Sequence, residues 1–149
     1  MTILEYLTAG LAGGLCYCGI ELLWQGGTHW TMLILGGLCF LMMYSVNLRL
    51  QLPLLGKWLL CAATVTAMEF VAGCLLNLWL GWEVWSYRGL PGNLLGQICP
   101  RYAFYWLLLS VPGSGLSVLL HRCFHGATGE SRTTVPSGTE LFRTFRERK

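Results

Sequence analysis

Four apolar runs dominate this chain, each near the roughly 20 residues that a helix needs to cross the hydrocarbon of a bilayer. They cover about residues 3–24, 30–48, 58–80 and 102–120. Inside lipid a backbone N–H must find its partner within its own segment, so runs of this length are helices. Strand crossings would need only about 10 residues and an alternating pattern, which these runs lack. Composition points the same way: 54% of the 149 residues are hydrophobic and 11% are charged, with a mean hydropathy of +0.55. Soluble domains carry about 25% charged residues, and so short a chain has too much surface to hide this much apolar side chain in its own core. The expected fold class is an all-α membrane protein, a bundle of four transmembrane helices over residues 1–120. The first run is expected to remain as a span, since Met1 to Tyr6 offers no Lys or Arg and the run is too long for a cleaved signal.

Orientation follows from the basic residues. Arg49 and Lys57 lie between the second and third runs, and Arg122, Arg132, Arg143, Arg146, Arg148 and Lys149 follow the fourth. The first connection has no Lys or Arg, and the third has Arg88 and Arg101. The excess of Lys and Arg belongs inside, which places both termini and the loop around Pro53 in the cytoplasm. Basic residues gathered in a tail, rather than on the folded part, argue against a nucleic-acid partner. Residues 121–149 read as a separate cytoplasmic tail. Gly126 to Gly138 is rich in Gly, Ser and Thr and has the composition of a flexible linker. Ser137-Gly138-Thr139-Glu140 then forms a capping-box pattern ahead of Leu141, Phe142 and Phe145. A disordered tail and a short basic amphipathic helix on the anionic inner leaflet are both compatible with this pattern.

The candidate functional residues are the polar ones within apolar runs. Glu69 sits halfway along the third, where an acid costs about 2.5–3.5 kcal/mol on insertion scales. Glu69, Gly73, Asn77 and Gly81 recur every four residues and form one stripe on a helix. Such a stripe serves either as interhelical glue or as a carboxylate lining a substrate or proton path. Gly10, Gly14, Tyr17 and Glu21 share a face of the first span, with Gly13 beside them, and this pattern is read as helix packing. Glu21, His29, Glu83 and Asn93, with Arg88, fall at the outer interface and form a candidate polar rim. Trp24, Trp30, Trp79, Trp82 and Trp85 suit the headgroup region around the same loops.

Before the fourth span, Gly92-Asn93-Leu94-Leu95 is apolar until Pro100 and Arg101 interrupt it. This segment is either a short interfacial or re-entrant helix capped by Asn93, or the start of a long helix kinked near Pro100 and Pro112. The seven cysteines show no metal spacing: there is no C-x-x-C, and Cys39, Cys61 and Cys74 lie within spans. Neither a metal nor a cofactor is expected. No Walker-type loop, G-x-G-x-x-G or G-x-S-x-G is present, so no enzymatic activity is expected and any ATP must be bound by another polypeptide.

Three segments carry a family resemblance. They are Thr28-His29-Trp30 through Phe40, Met68-Glu69 through Ser86-Tyr87, and Pro91-Gly92-Asn93 through Ile98-Cys99. Across roughly residues 10–115 the chain resembles the bacterial CmpB-like permease family, labelled ABC-transporter type IV. Where that family looks like Trp-Asp-Tyr-Ser, this chain has Trp85-Ser86-Tyr87-Arg88. The resemblance implies a multi-pass protein of the bacterial cytoplasmic membrane that takes part in transport. It would act as a homo-oligomer or beside a separate ATPase subunit. The alternative is a non-transporting scaffold or accessory protein in which the polar stripe is structural.

Overall fold

The computed structural model describes residues 2–127; the linker and basic segment expected beyond them lie outside the described residues. Four long helices follow one another: α1 (Ile3–Gln25), α2 (Trp30–Arg49), α3 (Leu54–Gly73) and α4 (Pro100–Ala127). All are long and apolar enough to cross a membrane, α3 doing so together with a π-helical turn over Cys74–Trp79 that continues it.

Local chemistry sets the helix ends. The Thr2 hydroxyl accepts the Glu5 N–H at 3.3 Å and caps α1. At its far end Gly26 takes the left-handed conformation, φ 73°, and donates to Leu22 O. Pro53 precedes α3, and Pro100 opens α4, where a missing N–H costs nothing. The last helix runs past Leu120 to Ala127, so His121 to His125 belongs to α4 rather than to a tail. No Gly or Pro falls between Leu116 and His125 to stop it sooner.

Of the two courses open for residues 92–101, no short helix forms after Asn93, and no helix runs on from there into α4, which starts at Pro100. Residues 80–99 make an irregular connection whose turns need left-handed residues: Gly92 (φ 71°), Leu95 (φ 52°) and Gly96 (φ 70°). Asn93 caps a turn instead, its Oδ1 accepting the Gly96 N–H at 3.0 Å.

Packing inverts the pattern of a soluble protein. Leu4, Leu7, Leu11 and Leu15 expose one apolar face of α1, while Glu5, Ala9, Gly13 and Gly14 are buried on the other. Lipid tails are as apolar as leucine, so helices associate through close packing and hydrogen bonds. The α1–α2 crossing shows this. A Cβ at Gly13 would overlap Phe40, one at Gly14 the Leu33 carbonyl, and one at Gly36 Tyr17. A Cβ on Gly37 would come within 2.8 Å of the Gly10 carbonyl oxygen. Helix α2 carries most of the core: Met32, Leu35, Cys39, Met43 and Val46 pack with Cys61 and Val65 of α3.

The two ends of the bundle differ. Trp82 lies 6.0 Å from Trp30 and 6.1 Å from His29, ring to ring, so the α1–α2 and α3–α4 connections share one end. At the other end the start of α1 meets the close of α4, where Glu5 lies 2.9 Å from His121. Arg49 donates to the Tyr6 hydroxyl and Lys57 Nζ to Asn47 O at that same end.

Candidate functional site

Glu69 is a buried residue of α3, 3% exposed, and both of its carboxylate oxygens are engaged. The Tyr87 hydroxyl donates to Oε1 at 2.7 Å, and Trp106 Nε1 donates to Oε2 at 2.8 Å. Tyr87 comes from the α3–α4 connection and Trp106 from α4, so one carboxyl ties three parts of the molecule together. Neither donor is a cation, and Arg101, near the start of α4, is exposed. Burial, with Glu69 beside it, holds the Tyr87 phenol far above the ordinary tyrosine range, so it remains an O–H donor. Aromatic rings wall the site: Tyr87 stacks on Tyr102 at 4.4 Å and Trp106 on Tyr17 at 5.6 Å.

Two turns along, Asn77 organises the connection itself. The π-helical turn Cys74–Trp79 carries it; such insertions redirect side chains and recur at functional positions. Asn77 Nδ2 donates to Trp85 O at 3.0 Å and to Gln97 Oε1 at 2.8 Å, and its Oδ1 accepts the Val84 N–H at 2.7 Å. Gln97 is 1% exposed, and the Trp85 indole donates to its backbone oxygen at 3.1 Å. The irregular loop thus buries its polar groups against α3 and leaves none of these three side chains unpaired. Gly73 makes room for this: a Cβ there would come within 2.5 Å of Gln97 Oε1 and 3.1 Å of Trp85. Gly81 stands apart from the network, ending the helical stretch in the left-handed region, φ 67°.

The rim residues serve separate local roles. The Glu21 carboxylate accepts the Thr28 hydroxyl at 2.6 Å, and the His29 ring caps α2 through Thr31. Glu83 is exposed in the loop, and Asn93 holds a turn through Leu90 O and the Gly96 N–H. Among the described residues no hydrogen bond or ion pair joins Glu21, His29, Glu83 and Asn93 to one another. Ser86 accepts the Arg88 N–H at 3.5 Å, a local turn contact that an Asp can also make.

Sequence reasoning missed Tyr87, Trp106 and Gln97 as partners of the stripe. Nothing in a linear pattern signals that a loop will fold back onto α3. It also missed a second buried carboxyl, Glu5, which the Tyr44 hydroxyl and His121 contact from α2 and α4. An apolar cleft of about 330 Å³ opens between α1, α2 and α4, lined by Tyr17, Cys39, Met43, Trp106, Pro112 and Gly113 among others. Trp106 is shared: it walls the cleft while its N–H holds Glu69.

Four membrane-length helices, lipid-type packing and a buried polar network define a polytopic α-helical membrane protein. The chain belongs to the family described as "Putative ABC-transporter type IV", which matches residues 9–125. No curated protein and no solved structure matches it.

Proposed function

We propose that this chain is the membrane-embedded subunit of an ABC-type transport assembly in the bacterial cytoplasmic membrane. Both termini lie in the cytoplasm, and ATP is bound by a separate polypeptide. The observation that carries this reading is the buried Glu69 carboxyl, held by two neutral donors on two different elements of a transporter-family chain. A carboxylate inside a membrane marks a substrate, ion or proton path more often than not. Rotation of Trp106 would release Oε2 and open Glu69 toward the apolar cleft, while Tyr87 couples the same carboxyl to the outer loop. In this reading the chain's part in the assembly is non-enzymatic, and ATP hydrolysis falls to the partner polypeptide.

A second reading, a scaffold or accessory protein, is favoured by one specific feature. Asn77 and Glu69 spend their hydrogen-bonding capacity on protein groups, as structural glue does. Mild-detergent purification from native membranes separates the two. The transport reading expects a complex with a nucleotide-binding polypeptide, and ATP turnover in that complex should fall in Glu69→Gln while the chain stays folded. A chain that purifies alone or only as a homo-oligomer, with Glu69→Gln silent, would establish the accessory role.

A further inference from the structure

We propose that Glu5, His121 and His125 form a binding site for a divalent transition-metal ion of the zinc class, at the end of the bundle where α1 begins and α4 closes. His121 and His125 are one helical turn apart and present their rings on one face of α4, with centroids 4.1 Å apart. Glu5, in the first turn of α1, meets them from the opposite side. Its Oε1 lies 2.9 Å from His121 Nδ1 and 3.9 Å from His125 Nε2, and one ligand atom from each residue falls within 4.8 Å of the others. Donors on a tetrahedral ion with bonds of about 2.0–2.1 Å stand roughly 3.3 Å apart, so small side-chain rotations close the set.

A second observation points to a cation. Glu5 is 1% exposed, yet among the described residues no group hydrogen-bonds its Oε2. A buried carboxylate oxygen left unpaired is costly, and a metal ion would satisfy it. The surroundings resemble the outer shell of a metal site. Tyr44, 0% exposed, donates its hydroxyl to Oε1 and orients the carboxylate. The histidine side chains are 33% and 42% exposed, which leaves an entry route for the ion. Two imidazoles and one carboxylate select zinc-like ions over calcium or magnesium, which take all-oxygen shells. Three protein ligands leave one position for water or a fourth ligand. Residues 116 apart in sequence would then be joined by the ion, fastening the first helix to the last.

The test uses the full-length protein in detergent, with Zn²⁺ and Co²⁺ as probes. One Zn²⁺ per chain should bind at equilibrium. Co²⁺ should show visible d–d bands without a thiolate-to-cobalt charge-transfer band, since Cys123, between the histidines, is exposed on another face of α4. His121→Gln and His125→Gln should each weaken Zn²⁺ binding by at least about tenfold, and Tyr44→Phe should weaken it roughly tenfold with stoichiometry kept. Zn²⁺ should raise the melting temperature of the native chain and not that of the double histidine variant. The histidines are partly exposed, so their variants fold, and metal-free melting checks this. Absent stoichiometric binding, binding unchanged in the double variant, or a thiolate charge-transfer band would each overturn the assignment.

Discussion

Replacing Glu69 separates hydrogen-bonding capacity from charge. In Glu69→Gln the amide keeps the shape, and the Tyr87 hydroxyl can turn to accept where it now donates. The thermal melting temperature of the purified protein should stay near that of the native chain. Glu69→Leu strands the Tyr87 hydroxyl and the Trp106 N–H, each at roughly 1–3 kcal/mol. Melting should then fall on the order of 10 °C, and an unshifted Leu variant would show that these bonds do not hold the fold. Glu69 and Asn77 stand out in sequence because polar groups in a lipid-length run demand an explanation. Their partners do not stand out. Tyr87 and Gln97 lie in a loop without periodicity, and Trp106 sits among other aromatic residues of α4. Glu5 and His121 are separated by nearly the whole bundle, and only the four-residue histidine spacing hints at a site.

At the scale of elements, the helices were readable and the connection between the last two was not. A run of about 20 apolar residues forces a helix in lipid, whereas the course of residues 80–99 depends on left-handed turns and on bonds to Asn77. Asn77→Ala removes all three of those bonds at once. Hydrogen exchange of the Val84 amide should accelerate at least tenfold in that variant while amides of α2 keep their protection. Unchanged Val84 exchange would place the anchoring of this loop elsewhere. The α1–α2 crossing gives a second test. Gly36→Leu must displace Tyr17, and overpacking costs about 1–3 kcal/mol, so melting and folded yield should drop. Gly19→Leu meets nothing within 4 Å and should be neutral or slightly stabilising, because leucine favours helix over glycine. Equal loss in both variants would mean that the crossing is not what fixes α1 on α2.

At the scale of the whole molecule, the polar network and the Glu5–histidine cluster occupy opposite ends of one bundle. The orientation proposed from Lys and Arg puts the Glu69–Tyr87–Asn77 network toward the outside and the Glu5 cluster at the cytoplasmic face. Arg49 and Lys57 lie at the same end as Glu5, where the inner leaflet would hold them. The proposed topology, four crossings with both ends in the cytoplasm, underlies each of these proposed roles, and two-sided cysteine labelling tests it directly. In a background without native cysteines, Gly27→Cys and Gly89→Cys should react with a membrane-impermeant maleimide added outside intact cells. Gln51→Cys and Thr128→Cys should react only after the membrane is opened. Labelling of Gly27 and Thr128 from the same side, or of Gln51 from outside, would contradict the proposed topology.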